Sequence, residues 1–194
     1  KQKVYVRVTN GTQSIVVEED SYVLITPAPV TVTSGSATKV YDGTPLTNTK
    51  DTIITGLVNG EKVTLTTTGT ITNVGSVSNT VTVDWGNVKE TNYTVDYNLG
   101  TLTVKAQSID PSDPSYLNVK VNKPENKVYD GKDHKWIPEV TLEDGTPLVE
   151  GTDYTVTYST ENFKDVQKIK VTIEGTGNYS GTVTEDSSIK EYLN

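Results

Sequence analysis

The pentapeptide KVYDG occupies residues 39–43 and returns unchanged at residues 127–131. Its surroundings repeat at nearly the same distance, because NYT at 92–94 is matched by NYS at 178–180. Self-similarity at a fixed period is the sequence signature of tandem structural units. The chain is therefore expected to contain two similar small domains, one built around each copy of the pentapeptide.

The composition favours β-strands in both domains. Only 33% of the residues are hydrophobic, and the aromatic residues are eleven Tyr, two Trp and one Phe. Val, Thr and Tyr fit a pleated, half-buried surface, and KVTLTTT at 62–68 and NTVTVDW at 79–85 alternate as half-buried strands do. We therefore predict an all-β, mostly β fold of two tandem domains arranged end to end. Alternation leaves open whether each is a small β-sandwich or β-grasp-like.

Turn and proline signals place the predicted boundaries. Residues 1–26 are expected to form strands around an Asn10-Gly11 turn, either as the tail of a preceding repeat or as strands added to the first domain. Pro27 and Pro29 predict an extended connector, and QSIDPSDPS at 107–115 predicts a short, semi-rigid linker. The predicted divisions are 1–26, a first domain at 27–106, a second domain at 107–190 and a tail at 191–194.

Three further signals predict turns inside the domains. Asn59-Gly60 and Asp144-Gly145 are typical of hairpin turns, and two closing strands are expected around Gly100. The pentapeptide is itself interpreted as a turn, in which Gly takes a positive φ and Asp caps the backbone. The preceding Tyr can lay its ring on the edge of the core. Tyr41-Asp42-Gly43 and Tyr129-Asp130-Gly131 are thus predicted to be fold determinants.

The ordered motifs also resemble a known family. KVYDGTPLT, followed by TGLVNGEKVTLTTTGTITNVG and NYTVDYNLGTLTV, is similar to the Tyr-Asp-Gly repeats of bacterial surface adhesins, the MBG-type domains. The second domain resembles a sister repeat of Firmicute surface proteins through YDGK, DGTPLVEGTDYTVTYS and VTIEGTGNYSGT. Gln167 departs from that repeat, which usually turns with Gly after Val166.

The resemblance implies a non-enzymatic stalk or spacer of a bacterial cell-surface adhesin, which presents a binding domain away from the cell wall. It implies cell adhesion as the process and an extracellular protein that is cell-wall attached or secreted. The implied partners are neighbouring repeats of the same chain, and the chain is expected to be a monomer. The absence of cysteine in an acidic, Thr-rich β-protein agrees with a surface protein of Gram-positive bacteria.

Charge and hydropathy bear on the partners. The net charge is −8 and the sequence pI is near 4.7. Such a surface attracts neither nucleic acid nor anionic lipid, so neither is expected as a partner. The sequence has no apolar run long enough to span a bilayer, so no membrane insertion is expected.

Catalytic and metal-binding signals are weak. His134, the single histidine, lies in GKDHKW without a GxSxG-like elbow elsewhere, so a solvated loop histidine is preferred over a catalytic one and no enzyme is predicted. Asp110 and Asp113 are the weak candidates for a Ca²⁺ site, although no EF-hand spacing is present and no cofactor is expected. An internal Lys–Asn cross-link is left open, because no local signature names its residues.

The alternative function is an adhesive module that binds host glycan, host protein or matrix protein through an exposed aromatic loop. Trp136, with His134 beside it, is the candidate ligand-binding residue, because Trp85 and Trp136 do not occupy matching places in the two domains. Trp85 ends an alternating strand and is assigned to the core. A spacer should show no exposed aromatic patch, whereas a binder should show one rimmed by polar groups.

Overall fold

The computed structural model describes the backbone of residues 2–191 and the side chains of residues 24–191, together with those of Arg7 and Thr12. Regular structure in this part is almost entirely β, apart from one 3-10 turn at Glu90–Asn92. The predicted all-β class is confirmed. No helix of the described residues is long and apolar enough to cross a membrane.

The N-terminal residues form a two-stranded hairpin. Strands β1 (Gln2–Asn10) and β2 (Gln13–Val23) pair antiparallel, with a register shift between Lys3 and Tyr5. Gly11 has a φ of 62°, as a tight turn between right-twisted strands requires. The turn predicted at Asn10-Gly11 is confirmed.

The first unit comprises eight strands between residues 28 and 105, and its sheets are ordered β5-β3-β9, β4-β10-β7 and β6-β8. The strands are β3 (Ala28–Thr33), β4 (Ala37–Val40), β5 (Ile53–Thr55), β6 (Thr64–Thr67), β7 (Gly75–Ser78), β8 (Val81–Asp84), β9 (Tyr93–Asn98) and β10 (Thr101–Lys105). β3 runs parallel to β9, and β4 runs parallel to β10. Its fully or nearly buried hydrophobic residues are Val30, Val32, Val81, Tyr93, Leu102 and Val104.

The chain segments at Gly35 and Gly100 lie in close contact where the sheets of the first unit meet. A Cβ placed on Gly100 would lie 2.4 Å from the backbone of Gly35, so both positions require glycine-sized residues. Asn79, fully buried, donates from Nδ2 to the carbonyl oxygens of Gly35 at 2.9 Å and Asn48 at 2.8 Å. The two strands predicted around Gly100 are present, but β9 and β10 pair with other strands rather than with each other.

Asn59-Gly60 forms a turn but not a hairpin. Both residues have positive φ, 54° and 71°, as the dipeptide predicts. The flanking strands do not pair with each other, since β5 pairs with β3 and β6 pairs with β8. The hairpin prediction is wrong because local turn chemistry does not choose the partner of a strand.

Pro29 lies inside β3 rather than in a free connector. β3 pairs with β9 over its whole length but with β5 only from Thr31 to Thr33. The missing N–H of Pro29 therefore falls where one side of the strand has no ladder. The alternation predicted for β6 and β8 is confirmed, because Leu65 and Val81 face inward while Thr66 and Thr82 are exposed.

The second unit comprises eight strands between residues 107 and 190, and its sheets are ordered β13-β18-β16-β15, β11-β17 and β12-β14. The strands are β11 (Gln107–Ser108), β12 (Val119–Val121), β13 (Lys127–Val128), β14 (Val140–Leu142), β15 (Tyr154–Tyr158), β16 (Gln167–Gly175), β17 (Tyr179–Ser180) and β18 (Thr182–Lys190). The turn predicted at Asp144-Gly145 is confirmed, with the amide of Thr146 donating to Asp144 at 2.9 Å. One core cluster contains Ile109, Val140, Leu148, Tyr154 and Ile173, and another contains Phe163, Ile169, Val171 and Ile189.

The segment predicted as a linker belongs to the second unit. Ile109 is fully buried in its core, and its amide donates to the carbonyl of Ser180 at 2.8 Å. Gln107 and Ser108 form β11, so Ala106 alone separates β11 from the last strand of the first unit. The linker prediction is wrong because the buried side chain of Ile109 holds the segment in the core of the second unit, although turn-forming residues surround it in the sequence.

Candidate interaction site at the Tyr-Asp-Gly turns

The first Tyr-Asp-Gly turn is held by its aspartate. Asp42 Oδ1 accepts hydrogen bonds from the amide of Thr44 at 2.9 Å and from its hydroxyl at 2.7 Å, and Lys39 Nζ lies 2.6 Å away. The ammonium of Lys39, followed by the two Thr44 donors, holds the pKa of Asp42 well below its ordinary value. Gly43 has a φ of 76°, so the turn uses the left-handed conformation that glycine adopts without strain.

The second turn repeats the backbone but changes the cation. Asp130 Oδ1 accepts a hydrogen bond from the amide of Lys132 at 2.9 Å and lies 2.7 Å from His134 Nε2, while Gly131 has a φ of 77°. The Lys132 amide is the larger cause, and His134 the next, of a lowered pKa of Asp130. Both pentapeptides therefore form the same aspartate-capped turn.

Each turn follows a strand that pairs parallel with the last strand of its unit. The amide of Tyr41 donates to the carbonyl of Lys105 at 2.8 Å, and the amide of Tyr129 donates to that of Lys190 at 2.9 Å. The register is the same in the two units: Val104 is level with Lys39 and Gly75, and Ile189 is level with Lys127 and Gln167. By this register Tyr41 corresponds to Tyr129, and Val74 corresponds to Val166.

The end of the first unit is in contact with the second. We call Tyr41, Asn73 and Val74 the first end surface, and Asn178–Tyr179 the Asn-Tyr turn. The ring of Tyr41 meets the ring of Tyr179 edge to face, with centroids 5.8 Å apart and planes at 79°. Burial, and next the neighbouring Tyr41, raise the pKa of the Tyr179 hydroxyl.

Asn178 adds directional contacts to the same surface. Its Oδ1 accepts a hydrogen bond from the amide of Val74 at 2.9 Å, and its Nδ2 donates to Asn73 Oδ1 at 3.2 Å. A ring contact combined with paired amide bonds fixes the rotation as well as the distance of the two units. The first end surface therefore contacts the Asn-Tyr turn through one ring pair and two hydrogen bonds.

The end of the second unit is exposed. We call Val128, Tyr129 and Val166 the second end surface; their exposed fractions are 48%, 48% and 45%. An open groove of about 730 Å³ runs beside it, lined by Val128 and Val166 together with residues 167–168 and 188–191. Gln167, where glycine was expected, begins β16 and donates from Nε2 to the carbonyl of Asn162 at 2.6 Å.

His134 and Trp136 lie in one groove, but Trp136 does not project from it. The indole is half-buried and packs against the core cluster around Phe163, while its carbonyl accepts a hydrogen bond from the Tyr158 hydroxyl at 2.9 Å. His134 is tied to Asp130, and its amide donates to the carbonyl of Phe163 at 2.9 Å. The prediction of an exposed aromatic loop is wrong because Trp136 fills the edge of the second core.

Trp85 lies against the core of the first unit. It stacks on Tyr93 with centroids 5.5 Å apart and planes at 19°. The Tyr93 hydroxyl donates to Glu61 and accepts from the amide of Val58, and the bond to Glu61 is the main cause of a raised pKa of Tyr93.

Asp110 and Asp113 each cap a turn. Asp110 Oδ1 accepts from the amide and hydroxyl of Ser112 at 2.8 and 2.7 Å, and Asp113 Oδ1 accepts from those of Ser115 at 2.7 and 2.6 Å. The Ser112 amide and the Ser115 hydroxyl are the main causes of lowered pKa values of the two carboxyls. Among the described residues no group of three His, Cys, Asp or Glu side chains is placed to hold a metal ion, and calcium binding stays a prediction.

Sequence reasoning missed the Asn-Tyr turn as a contact. NYS at 178–180 is a repeated motif, and the repeat is its only signal in the sequence. Nothing in the sequence says that this motif meets Tyr41 of the other unit, because the contact depends on where two sheets end in space.

Residues 26–101 match the family model of the YDG domain. No curated protein and no solved structure matches the chain. The match covers the first unit as far as the start of β10, and less than half of the chain, so it shows what that unit is similar to. The second unit resembles the first in the register of its strands and in its turn.

The match corrects the family and the function expected from the sequence. The assignment to MBG-type adhesin repeats is wrong, because the matched family is a different one. KVYDG specifies an aspartate-capped turn, and turn chemistry does not distinguish families of different function. The adhesin stalk, the adhesive module and the Gram-positive cell wall are wrong with it.

The exclusion of nucleic acid as a partner is corrected too, because the first unit matches the YDG domain and not an adhesin repeat. Net charge averages over a whole chain, whereas binding depends on the charge of a local surface. An extracellular location stays a prediction.

Proposed function

We propose that this chain is a non-catalytic module that recognises protein partners through its Tyr-Asp-Gly end surfaces. The observation that supports it is the contact of the first end surface with the Asn-Tyr turn, through the rings of Tyr41 and Tyr179 and the amide of Asn178. The contact combines an aromatic anchor with hydrogen bonds between uncharged groups. Specific protein interfaces are built in this way, and Tyr is among their most frequent anchors.

The position of the contact also supports recognition. β10 and β11 are separated by Ala106 alone, so the chain brings the two units together with little freedom. Such tethering gives the contact a high effective concentration, and a small interface can then hold two units in one orientation. The module acts by fixing the arrangement of folded units.

The groove beside His134 supports a non-catalytic role. Asp130, the carboxylate beside the imidazole, is already used to cap its turn through the amide of Lys132. The groove measures about 560 Å³, and within the described part of the chain no serine or threonine hydroxyl lines it. The lysine, glutamate and asparagine side chains around it form a polar surface without a nucleophile beside the histidine.

Nitrogen-15 relaxation of the intact chain tests the proposal. We expect the two units to tumble as one body, with a single rotational correlation time. Tyr41→Ala should shorten the correlation times of both units, whereas Tyr129→Ala, the matched control at the exposed turn, should leave them unchanged. Independent tumbling of the unmodified chain would contradict the proposal.

A second candidate follows from the family match. YDG domains of the SRA type read methylated DNA, which makes a methylated duplex a partner to test. The matched residues 26–101 contain four lysines and six acidic residues, so few phosphate contacts are available there. Fluorescence anisotropy with methylated and unmethylated duplexes at low salt distinguishes the candidates. Saturable binding that prefers the methylated duplex would establish DNA reading. Equally weak binding of the methylated and unmethylated duplexes would favour protein recognition instead.

A further inference from the structure

The second end surface is built like the first. In each unit a Tyr directly follows the strand that pairs parallel with the last strand, and a Val directly precedes the strand on the other side of that last strand: Tyr41 and Val74 in the first unit, and Tyr129 and Val166 in the second. Tyr41 is half-buried beneath the Asn-Tyr turn, whereas Tyr129 is 48% exposed; Val74 and Val166 are exposed to similar degrees, at 39% and 45%. The same arrangement is therefore present twice, with its tyrosine covered in the first unit and exposed in the second.

The polar groups around the second end surface match the needs of an asparagine side chain. Asp165 holds the position that Asn73 holds in the first unit, directly before the valine. A carboxylate accepts hydrogen bonds from several donors, so Asp165 can take an amide Nδ2 in addition to the Asn162 Nδ2 that already lies 2.6 Å away. In the described residues no side chain accepts a hydrogen bond from the amide of Val166, in contrast to the amide of Val74.

We propose that the second end surface binds the Asn-Tyr turn of a further β unit of the second-unit type. The asparagine Oδ1 of the bound turn would accept a hydrogen bond from the Val166 amide, and its Nδ2 would donate one to Asp165. The tyrosine ring of the bound turn would pack edge to face against Tyr129. The inference rests on the proposed function and names its partner. The interface between the first and second units supports it, because each proposed contact has a counterpart in that interface.

The chain supplies the geometry for a test. Lys105 ends β10, Ala106 follows, and Gln107 opens β11 of the docked unit. The same spacing of one alanine can be reproduced after Lys190 in an extended chain. This chain contains residues 1–190, one added alanine and then a second copy of residues 107–194. Since the chain contains no cysteine, an engineered cysteine pair reports on one contact alone.

Disulfide formation in the extended chain is the experiment. One variant carries Val166→Cys together with Asn178→Cys in the added copy, which leaves the ring contact of Tyr129 in place. The matched control carries Val74→Cys and Asn178→Cys in the original chain, where the Val74 amide and Asn178 Oδ1 are 2.9 Å apart. A mismatched pair carries Val149→Cys, an exposed valine, with the same cysteine in the added copy.

We expect the Val166 pair to cross-link within about tenfold of the rate of the Val74 control, since cross-linking requires the two Cα atoms to come within about 7 Å. Cross-linking no faster than that of the mismatched Val149 pair, beside a fast Val74 control, would overturn this inference and leave the proposed function intact. A slow Val74 control would instead overturn the proposed function.

Discussion

The same five residues, KVYDG, end in two different environments of one molecule. At Tyr41 the turn is capped by Asp42 and paired with Lys39, and its ring lies against Tyr179 of the other unit. At Tyr129 the turn is capped by Asp130 and paired with His134, and its ring is 48% exposed. The difference separates two roles of the motif: aspartate and glycine make the turn, and tyrosine offers a surface for contact.

The largest difference between the ends is expected for the two rings. Tyr41→Ala removes a half-buried ring and its edge-to-face partner, which should lower the free energy of unfolding by about 2 kcal/mol. Tyr129→Ala should cost less than about 0.5 kcal/mol, as exposed positions do. Urea unfolding measures both, because Trp85 reports on the first unit and Trp136 on the second. Equal costs would show that the ring of Tyr41 is not anchored by the interface.

The two glycines should behave alike. Gly43 and Gly131 have φ of 76° and 77°, and nothing lies within 4 Å of a Cβ built at either position. Each Gly→Ala change should therefore cost about 1 kcal/mol, from the left-handed backbone alone. A clearly larger loss of unfolding free energy for Gly43→Ala, in the same measurement, would mean that the interface and not the turn requires glycine at residue 43.

Asn178 has a natural control in Asn92, which precedes the corresponding tyrosine of the first unit. Asn178→Ala removes two hydrogen bonds to the first end surface and should lower the free energy of unfolding by about 1 kcal/mol. Asn92→Ala should have little effect, since the Asn92 side chain is exposed and the hydrogen bond of this residue to the Lys89 carbonyl is donated by its backbone amide. A comparable loss in both variants would point to a local role for asparagine instead.

The smallest effect concerns the two carboxyls. Lys39 is the main cause of the lowered pKa of Asp42, whereas a backbone amide is the main cause at Asp130. Lys39→Met should thus raise the pKa of Asp42 more than His134→Leu raises that of Asp130, in carbon-13 titrations of the side-chain carboxyls. Because folding lowers both values, the carboxylates stabilise the fold above the ordinary pKa of about 3.9, and this stabilisation is lost as the pH falls through the folded values.

Local signals in the sequence predicted much of the fold. Alternation placed β6 and β8, and the Asn-Gly and Asp-Gly dipeptides placed turns, because both depend on a few neighbouring residues. Pairing was not predictable in the same way: Asn59-Gly60 turns without joining paired strands, and β9 and β10 part at Gly100. Which strand lies beside which depends on the packing of the whole unit.

The candidate site was half visible in the sequence. The repeat identified Tyr41 and Tyr129, but not that one is covered and the other exposed. The polarity of GKDHKW suggested an exposed loop at Trp136, yet the indole packs against the core cluster around Phe163. The aspartates of the supposed linker cap turns instead of standing free, because adjacent serines supply donors within two residues. Contacts between units were outside the reach of local patterns.

Amide hydrogen exchange at Val74 and Val166, measured by NMR in one sample, tests the central claim most directly. The two valines occupy the same place in the two units, but only the amide of Val74 donates to Asn178. The account predicts that Val74 exchanges about tenfold more slowly than Val166, and that Asn178→Ala removes the difference. Equal exchange in the unmodified chain, or a slow Val74 amide that persists in Asn178→Ala, would contradict it.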